Sequence, residues 1–370
     1  MNLPPFKLER FFGKHEFTAR YLLSASDCET FSLQELLAMA SGESLALWNG
    51  LRFGYTESQG HPLLRAEAAG LYENLGAEDI LIAVPEEAIF VFMHALLRAG
   101  DHAVVVTPAY QSLYETAASA GGEVTRLMLR AEHAGWRLDL DELKRSLNGR
   151  TRLVVVNFPH NPTGYMPSRR EFDALVEMAR ERGLYLFSDE MYRLLEHDAE
   201  RRLPAMCDVY EKGVSLSGLS KSFGLPGLRV GWLAMRDGAL LARCVGVKDY
   251  TTICHSAPSE ALGIIALRAR ETIVQRNREI VRRNLGLARG FFSGRAGLFR
   301  WMEPQGGPVA FPEWTGPMPV EDFCRRVLEE RGVLVAPGGL FEYPGENFRV
   351  GMGRRDFPEA LARVGEVLED

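Results

Sequence analysis

The chain has little that would mark a secreted, membrane or nucleic-acid-binding protein. Its 370 residues hold five cysteines, Cys28, Cys207, Cys244, Cys254 and Cys324, odd in number and scattered, with no CxxC pair. That excludes a disulfide framework and a zinc motif, and it fits free thiols in a reducing compartment. No stretch reaches the roughly 18 uninterrupted apolar residues of a membrane-spanning helix. The N-terminal "MNLPPFKLERFFGKHEF" carries no apolar core of the signal-peptide kind, so a cytoplasmic location is expected. Lysine and arginine (43) do not outnumber aspartate and glutamate (49), and the net charge is −6. With no basic run interleaved with aromatics, a nucleic-acid partner is not expected. Internal repeats and low-complexity linkers are also missing.

What remains is an ordinary globular composition, 46% hydrophobic and 25% charged, long enough for two domains. From about residue 86 helical and strand patterns alternate. "EEAIFVFMHALLRAG" has helical spacing and stops at Gly100, and "HAVVVTPAY" reads as a short buried strand. "DLDELKRSLN" is an amphipathic helix, "TRLVVVNFP" a β-branched strand, and "SRREFDALVEMARERG" a helix stopped by Gly183. "LYLFSDE", "GVSLSG" and "RVGWLAM" add three more strands. Short apolar strands separated by helices predict a mostly parallel sheet covered on both faces. Residues 257–292 read as one long helix. Short strands near "FRWMEP", "PVAFPEW", "GVLVAPG" and "NFRVGMG" follow it. The organisation expected is an N-terminal arm over 1–50 that contributes to a small domain, and a large α/β domain over 51–255. A connecting helix over 256–292 and a small α+β domain over 293–370 complete it.

Ligands of open α/β sheets sit beyond the carboxyl ends of the strands. At those positions the sequence delivers Tyr110, Asn161, Asp189 with Tyr192, and Lys221. An aromatic ring, an amide, a carboxylate, a phenol and an amine together meet the needs of a pyridine-ring aldehyde cofactor. The amine condenses with the aldehyde, and the carboxylate keeps the ring nitrogen protonated. Amide and phenol donate to the ring oxygen, and the aromatic covers one ring face. Each residue alone has a plainer reading: Asp189 as a helix cap, the tyrosines as core or rim aromatics, Arg349 as a surface residue on an edge strand. His94, His102, His160 and the cysteines read as structural or surface residues.

The order of these segments resembles the class I/II aminotransferases, the fold-type I pyridoxal-phosphate enzymes. The likeness runs from "YTESQGHPLLR" (55–65) through "NPTG" (161–164), "SDEMY" (188–192) and "SKSFGLPGLRVGW" (220–232) to "PQGGPVAF" (304–311) and "FRVGMG" (348–353). The resemblance implies a large domain with a mostly parallel sheet between helices, and a smaller α+β domain. It implies pyridoxal 5'-phosphate as cofactor, an α-amino acid substrate and a homodimer. Lys221 would form the internal aldimine and shuttle the α-proton, and Asp189 would pair with the pyridinium nitrogen. Asn161 and Tyr192 would bond the ring oxygen, and Tyr110 would stack on the ring. Ser220, Arg229 and the amides of Glu86 and Glu87 would hold the phosphate, with Tyr55 reaching that of the neighbouring subunit. Arg349, with Asn161 beside it, would fork onto the substrate α-carboxylate, a bidentate match that lysine cannot supply. The activity implied is transfer of an amino group to a 2-oxo acid.

Three departures from the family pattern point toward a second activity. Where a glycine-led run normally opens the phosphate-binding helix, this chain has "AVPEEAIF". Val84 replaces the glycine, Pro85 lacks an N–H, and Glu86 adds a negative charge. Glu86 is expected either to turn away or to meet the substrate. Gly218 stands where a phosphate-binding serine is common. The segment 17–39 lacks the plain entry loop of amino-acid transaminases and is similar to that of capreomycidine-synthase-like members, which carry out elimination and ring closure. Its "SASDCE" (24–29) could line the entrance and read a cationic or hydroxylated side chain. A pyridoxal-phosphate lyase or cyclase is therefore the alternative activity, and a binding module without chemistry is disfavoured by the complete lysine, aspartate and asparagine set.

Overall fold

The computed structural model describes residues 3–132 and 135–369. Its centre is a seven-stranded sheet: β1 (Ile80–Ala83), β2 (His102–Thr107), β3 (Glu123–Met128), β4 (Thr151–Asn157), β5 (Tyr185–Asp189), β6 (Gly213–Gly218) and β7 (Gly231–Met235). The order across the sheet is β1-β7-β6-β5-β4-β2-β3. Strands β3, β2, β4, β5 and β6 run parallel, and β7 lies antiparallel between β6 and β1.

The apolar runs form strands because both faces are covered. In β2, Val104 and Val106 enter one core while Ala103 and Val105 enter the other; in β4, Val154 and Val156 separate from Leu153 and Val155 in the same way. A period-two backbone thus turns a continuous hydrophobic run into two interfaces.

Five of the helices are α1 (Lys7–His15), α2 (Pro85–Leu96), α3 (Arg169–Arg182), α4 (Ala257–Arg268) and α5 (Arg270–Ser293). Helix α3 shows how locally such elements are specified. Ser168 and Glu171 form a capping box at its start, and Gly183 ends it with φ of 63°. Helix α2 leaves helical geometry at Leu97, short of the expected stop at Gly100.

The single long helix expected over 257–292 is broken at Ala269 (φ −93°, ψ 12°). Both pieces share one core near the break, where Ile273 and Val274 of α5 join the residues of α4. Helix α4 buries Leu262, Ile264, Ile265 and Leu267 against the large sheet's flank. Helix α5 carries Leu285, Ala288 and Phe292 into a second core with Phe299, Trp314, Phe323 and Phe348. That smaller core surrounds a three-stranded antiparallel sheet of β8 (Val309–Ala310), β9 (Ala336–Pro337) and β10 (Phe348–Gly351), in the order β8-β10-β9.

The N-terminal arm touches both cores. Leu8 of α1 joins the core under β2 and β4, whereas Tyr21 and Leu23 join the smaller core, with Tyr21 bridged to Val333. None of the described helices is long and apolar enough to cross a membrane. Among the described residues no group of His, Cys, Asp and Glu is placed to hold a metal ion. His102 and His160 are buried and bonded to threonine hydroxyls, and four of the five free thiols are buried.

Candidate active site

A cleft of about 390 Å³ opens at the carboxyl ends of the parallel strands, between the sheet and the smaller core. Tyr110, Asn161, Asp189, Tyr192, Ser220, Lys221, Arg229, Glu86 and Arg349 all line it. Residues spread over more than half the chain meet here because adjacent parallel strands end in step. Asn157 and Asp189 are register partners on β4 and β5, and the Asn157 amide donates to the Asp189 carbonyl at 2.7 Å. The Asn157 Oδ1 in turn accepts the Asn161 N–H at 2.6 Å, which fixes the loop that presents the Asn161 side chain.

Lys221 follows β6 by three residues, and its amine donates to Ser26 Oγ at 2.9 Å. Burial lowers its pKa, with Arg349 adding to the effect and Asp27, Glu9 and Asp189 opposing it. A lowered pKa favours the neutral, nucleophilic amine. Asp189 sits at the end of β5, its Oδ1 accepting the Met191 N–H at 3.1 Å; desolvation pushes its carboxyl up to about 6. A cation brought against it would reverse that shift, which is the environment a protonated ring nitrogen would find. The phenols of Tyr192 and Tyr110 are both raised by burial.

Two buried hydroxyls in the cleft are free to meet a polar ligand. Ser220 Oγ and Tyr192 Oη are shielded from solvent and make no hydrogen bond within the described chain, although Ser26 lies beside Tyr192. An unpaired buried hydroxyl costs about 1–3 kcal/mol, so such groups are normally matched by a partner. Both hydroxyls line the cleft, and a donor set of amine, carboxylate, amide, phenol and hydroxyl fits pyridoxal phosphate.

Arg349, on β10, is 1% exposed. Its Nε and Nη2 donate to the Ser24 carbonyl at 3.1 and 2.8 Å, and Nη1 donates to Asn161 Oδ1 at 3.1 Å. Phe12 and Phe341 flank its guanidinium at 5.6 and 5.1 Å. No described carboxylate pairs with it. A buried guanidinium without a carboxylate counter-ion is costly unless a ligand supplies one. Desolvation accordingly lowers its pKa.

Glu86 turns into the cleft and does not point away. Its Oε2 accepts from Ser112 Oγ at 3.1 Å, and burial pushes its carboxyl up to about 7 against that hydrogen bond, with Glu9 and Asp189 raising it further. Glu87 behaves differently. Its side chain accepts from Thr251 and, at 2.7 Å, Thr252, off the cleft, and only its amide at the first turn of α2 is free to face a phosphate. Arg229 lines the cleft but is exposed, with φ of 57° and Nη1 donating to the Pro226 carbonyl at 3.1 Å. Tyr55 is 92% exposed and remote from this cleft within one chain.

One contact links two of the sequence departures. A Cβ added at Gly218 would lie 2.9 Å from the Gly231 Cα and 3.3 Å from Pro85 Cγ, and one added at Gly231 would lie 2.7 Å from Pro85 Cγ. The proline ring at the start of α2 rests on this cross-strand glycine pair. Pro85 and the missing serine at 218 are therefore a single packing solution.

The far wall was largely missed by the sequence reading. Helix α1 and the residue that follows it supply Glu9, Phe12 and Glu16, and the arm adds Ser26 and Asp27. Arg354 and Asn157 also line the cleft. In the sequence only the "SASDCE" segment points to this wall, as the entrance. The available signal was spacing: Leu8, Phe12 and Glu16 fall on one helical face.

The family model for aminotransferase class I and II matches residues 21–363. Capreomycidine synthase of Streptomyces vinaceus is 32% identical over 370 residues, covering 99% of this chain and 94% of that one. Among solved structures, a PLP-dependent aminotransferase from Streptococcus suis 89-1591 superposes with a TM-score of 0.93 at 30% identity, over 100% of this chain and 98% of that one. The PLP-dependent cyclase OrfR superposes with a TM-score of 0.90 at 30% identity, with the same coverage.

Proposed function

Because the chain belongs to the class I and II aminotransferase family and its cofactor is pyridoxal phosphate, we propose that it moves the amino group of an α-amino acid to a 2-oxo acid. The observation that carries this reading is the pairing, in one cleft, of the Lys221 amine with a fully buried Arg349 that no described carboxylate neutralises. When bound, the cofactor supplies an aldehyde for amines and an electron-withdrawing ring. Everything else falls to the chain. Asp189 holds a proton on the ring nitrogen, and Asn161 and Tyr192 bond the ring oxygen. Tyr110 covers a ring face. Ser220, Arg229 and the first-turn amides of Glu86 and Glu87 hold the phosphate. Arg349 forks onto the substrate carboxylate, Asn161 braces that arginine, and Lys221 Nζ takes the α-proton and returns it.

Tyr55 acts in a homodimer, reaching the phosphate of the neighbouring copy. Its exposure beside Phe53, at 89%, supports this. Sedimentation that returned a monomer would remove it.

A second reading, elimination with ring closure, is favoured by Glu86. A cleft carboxyl raised to about 7 can deliver a proton to a departing side-chain group. One experiment separates the two. Holoenzyme is mixed with a single amino acid and no 2-oxo acid. Transfer yields one equivalent of 2-oxo acid and leaves the cofactor in its amine form. Elimination releases the side-chain group and returns the cofactor as aldehyde.

A further inference from the structure

Among the described residues the Lys221 amine has one hydrogen-bond partner, and it does not come from the sheet. Ser26 Oγ accepts from Nζ at 2.9 Å, across 195 residues. The charged groups that act on the amine are Asp27, Arg349, Glu9 and Asp189, and each is engaged elsewhere. Arg354 takes Asp27, with Nη2 at 2.9 Å from both carboxylate oxygens. Arg349 bonds the Ser24 carbonyl and Asn161, Glu9 accepts from the Tyr110 hydroxyl at 2.7 Å, and Asp189 accepts the Met191 N–H. A neutral hydroxyl is left facing the amine.

The strip that carries Ser26 is held on both sides of it. The Ser24 N–H donates to the Leu334 carbonyl at 2.9 Å, and the Glu29 N–H to the Gly353 carbonyl at 2.8 Å. A Cβ on Gly351 would lie 1.7 Å from the Ala25 carbonyl oxygen, and one on Gly353 2.2 Å from that of Asp27. Glycine at both places lets the strip lie down on β10 and the residues after it. The Cys28 N–H reaches the Lys221 carbonyl at 3.4 Å, so the strip meets this lysine at its backbone as well as at its amine. None of these main-chain contacts uses the Ser26 side chain.

We propose that Ser26 is a positioning residue for Lys221: its hydroxyl holds the amine in place whenever the amine is free, and steadies the proton the amine has taken. The proposal rests on the reading of Lys221 as the group that takes the α-proton. A hydroxyl accepts a stronger hydrogen bond from an ammonium than from a neutral amine. The contact is therefore worth more after the proton is taken than before, which is the condition for lowering a barrier. A carboxylate in the same place would hold the proton too firmly for its return. The amine gains the hydrogen that the α-carbon loses, becomes an ammonium, and is neutral again once it gives the proton back. Ser26 Oγ keeps its own proton throughout, with the Tyr192 phenol beside it.

The test has two arms. In the first, the full chain is freed of cofactor, and its fold is checked by the return of the visible band when cofactor is added back. It is reacted with a trace of acetic anhydride over a pH series, and labelled peptides are counted by mass spectrometry against the exposed Lys144. A hydrogen bond that favours the ammonium delays the reactive amine to higher pH. The Lys221 profile should therefore move to lower pH in Ser26→Ala and return toward wild type in Ser26→Thr. In the second arm, holoenzyme in deuterium oxide receives a mixture of the twenty common L-amino acids, and those that gain α-deuterium are identified. Ser26→Ala should slow that exchange about tenfold to a hundredfold, the scale of one hydrogen bond to a charged group. Affinity for the same amino acid, read from cofactor absorbance at equilibrium, should hardly change, and Ser26→Thr should recover most of the rate. A Lys221 profile that Ser26→Ala leaves in place, exchange as fast as wild type, or a loss of affinity equal to the loss of rate overturns the proposal while the proton role of Lys221 stands. No exchange by the wild type with any of the twenty removes that role, and this proposal with it.

Discussion

The two walls of the cleft are made in different ways. The floor is a product of the sheet: Asn161, Asp189, Ser220 and Lys221 sit within a few residues of the ends of parallel strands whose register sets their spacing. The far wall is a product of docking. Glu9, Phe12 and Glu16 reach the cleft because Leu8 packs into the large core and Lys7 N–H bonds Gln111 Oε1 at 2.8 Å, across 104 residues. A register-built floor can hold one cofactor geometry through many substrates. A docked wall can change its charges without touching that geometry. The difference teaches where to look for chemistry and where for selectivity.

Mutations should divide along the same line. Lys221→Ala carries the largest effect. It should retain the fold by circular dichroism and lose both turnover and the visible band of the bound cofactor; turnover surviving would break the comparison outright. Asp189→Asn should keep the cofactor and lose about a hundredfold or more in kcat, the scale of removing a preorganised electrostatic partner. Near-normal kcat would reduce Asp189 to a cap on the Met191 amide.

Arg349→Ala stands at the border between the walls, since it bonds the arm at Ser24 and the floor at Asn161. Losing a buried charged partner is worth roughly 2–5 kcal/mol. kcat/KM should therefore fall by about thirtyfold to several thousandfold, with both KM and kcat affected, and Arg349→Lys should recover only part. An amino acid turned over normally by Arg349→Ala would remove the carboxylate role.

The smallest effect is on stability. Folding lifts the Glu86 carboxyl from its ordinary 4.5 to about 7, so the folded protein holds a proton that the unfolded chain releases. Its contribution is present below the lower value and is lost as pH rises toward the upper one. The Tm of the wild type, measured against Glu86→Gln, should fall across that interval. A gap that does not change with pH would mean that the carboxyl is ordinary.

Much of the floor was readable because its signals are local. β-branched runs such as "RLVVV" predict buried strands, and the residue types just beyond them carry the chemistry. Strand β3 is hard to read, since "EVTRLM" is a polar, half-exposed edge with β2 as its one ladder partner and only Leu127 fully in the core. The split at Ala269 is hidden as well, because helical periodicity continues through it and the same core takes residues from both sides of the break. The inward turn of Glu86 could not be settled from sequence, where a carboxylate at a helix start reads equally as a solvated first-turn acid. The α1 wall was missed because Glu9 and Glu16 have the composition of a solvated helix face. Only the docking of Leu8 turns that face inward.

The central claim is that strand ends deliver one particular amine to the cofactor. Borohydride reduction of the holoenzyme, followed by peptide mapping, tests it most directly, because it fixes the lysine–aldehyde adduct where it stands. Lys248 is the natural control: it is fully buried, and its amine donates to the Ile253 carbonyl at 3.1 Å, outside the cleft. The account predicts a single labelled peptide carrying the cofactor on Lys221. Label on Lys248 or any other lysine, or no label at all, would contradict it.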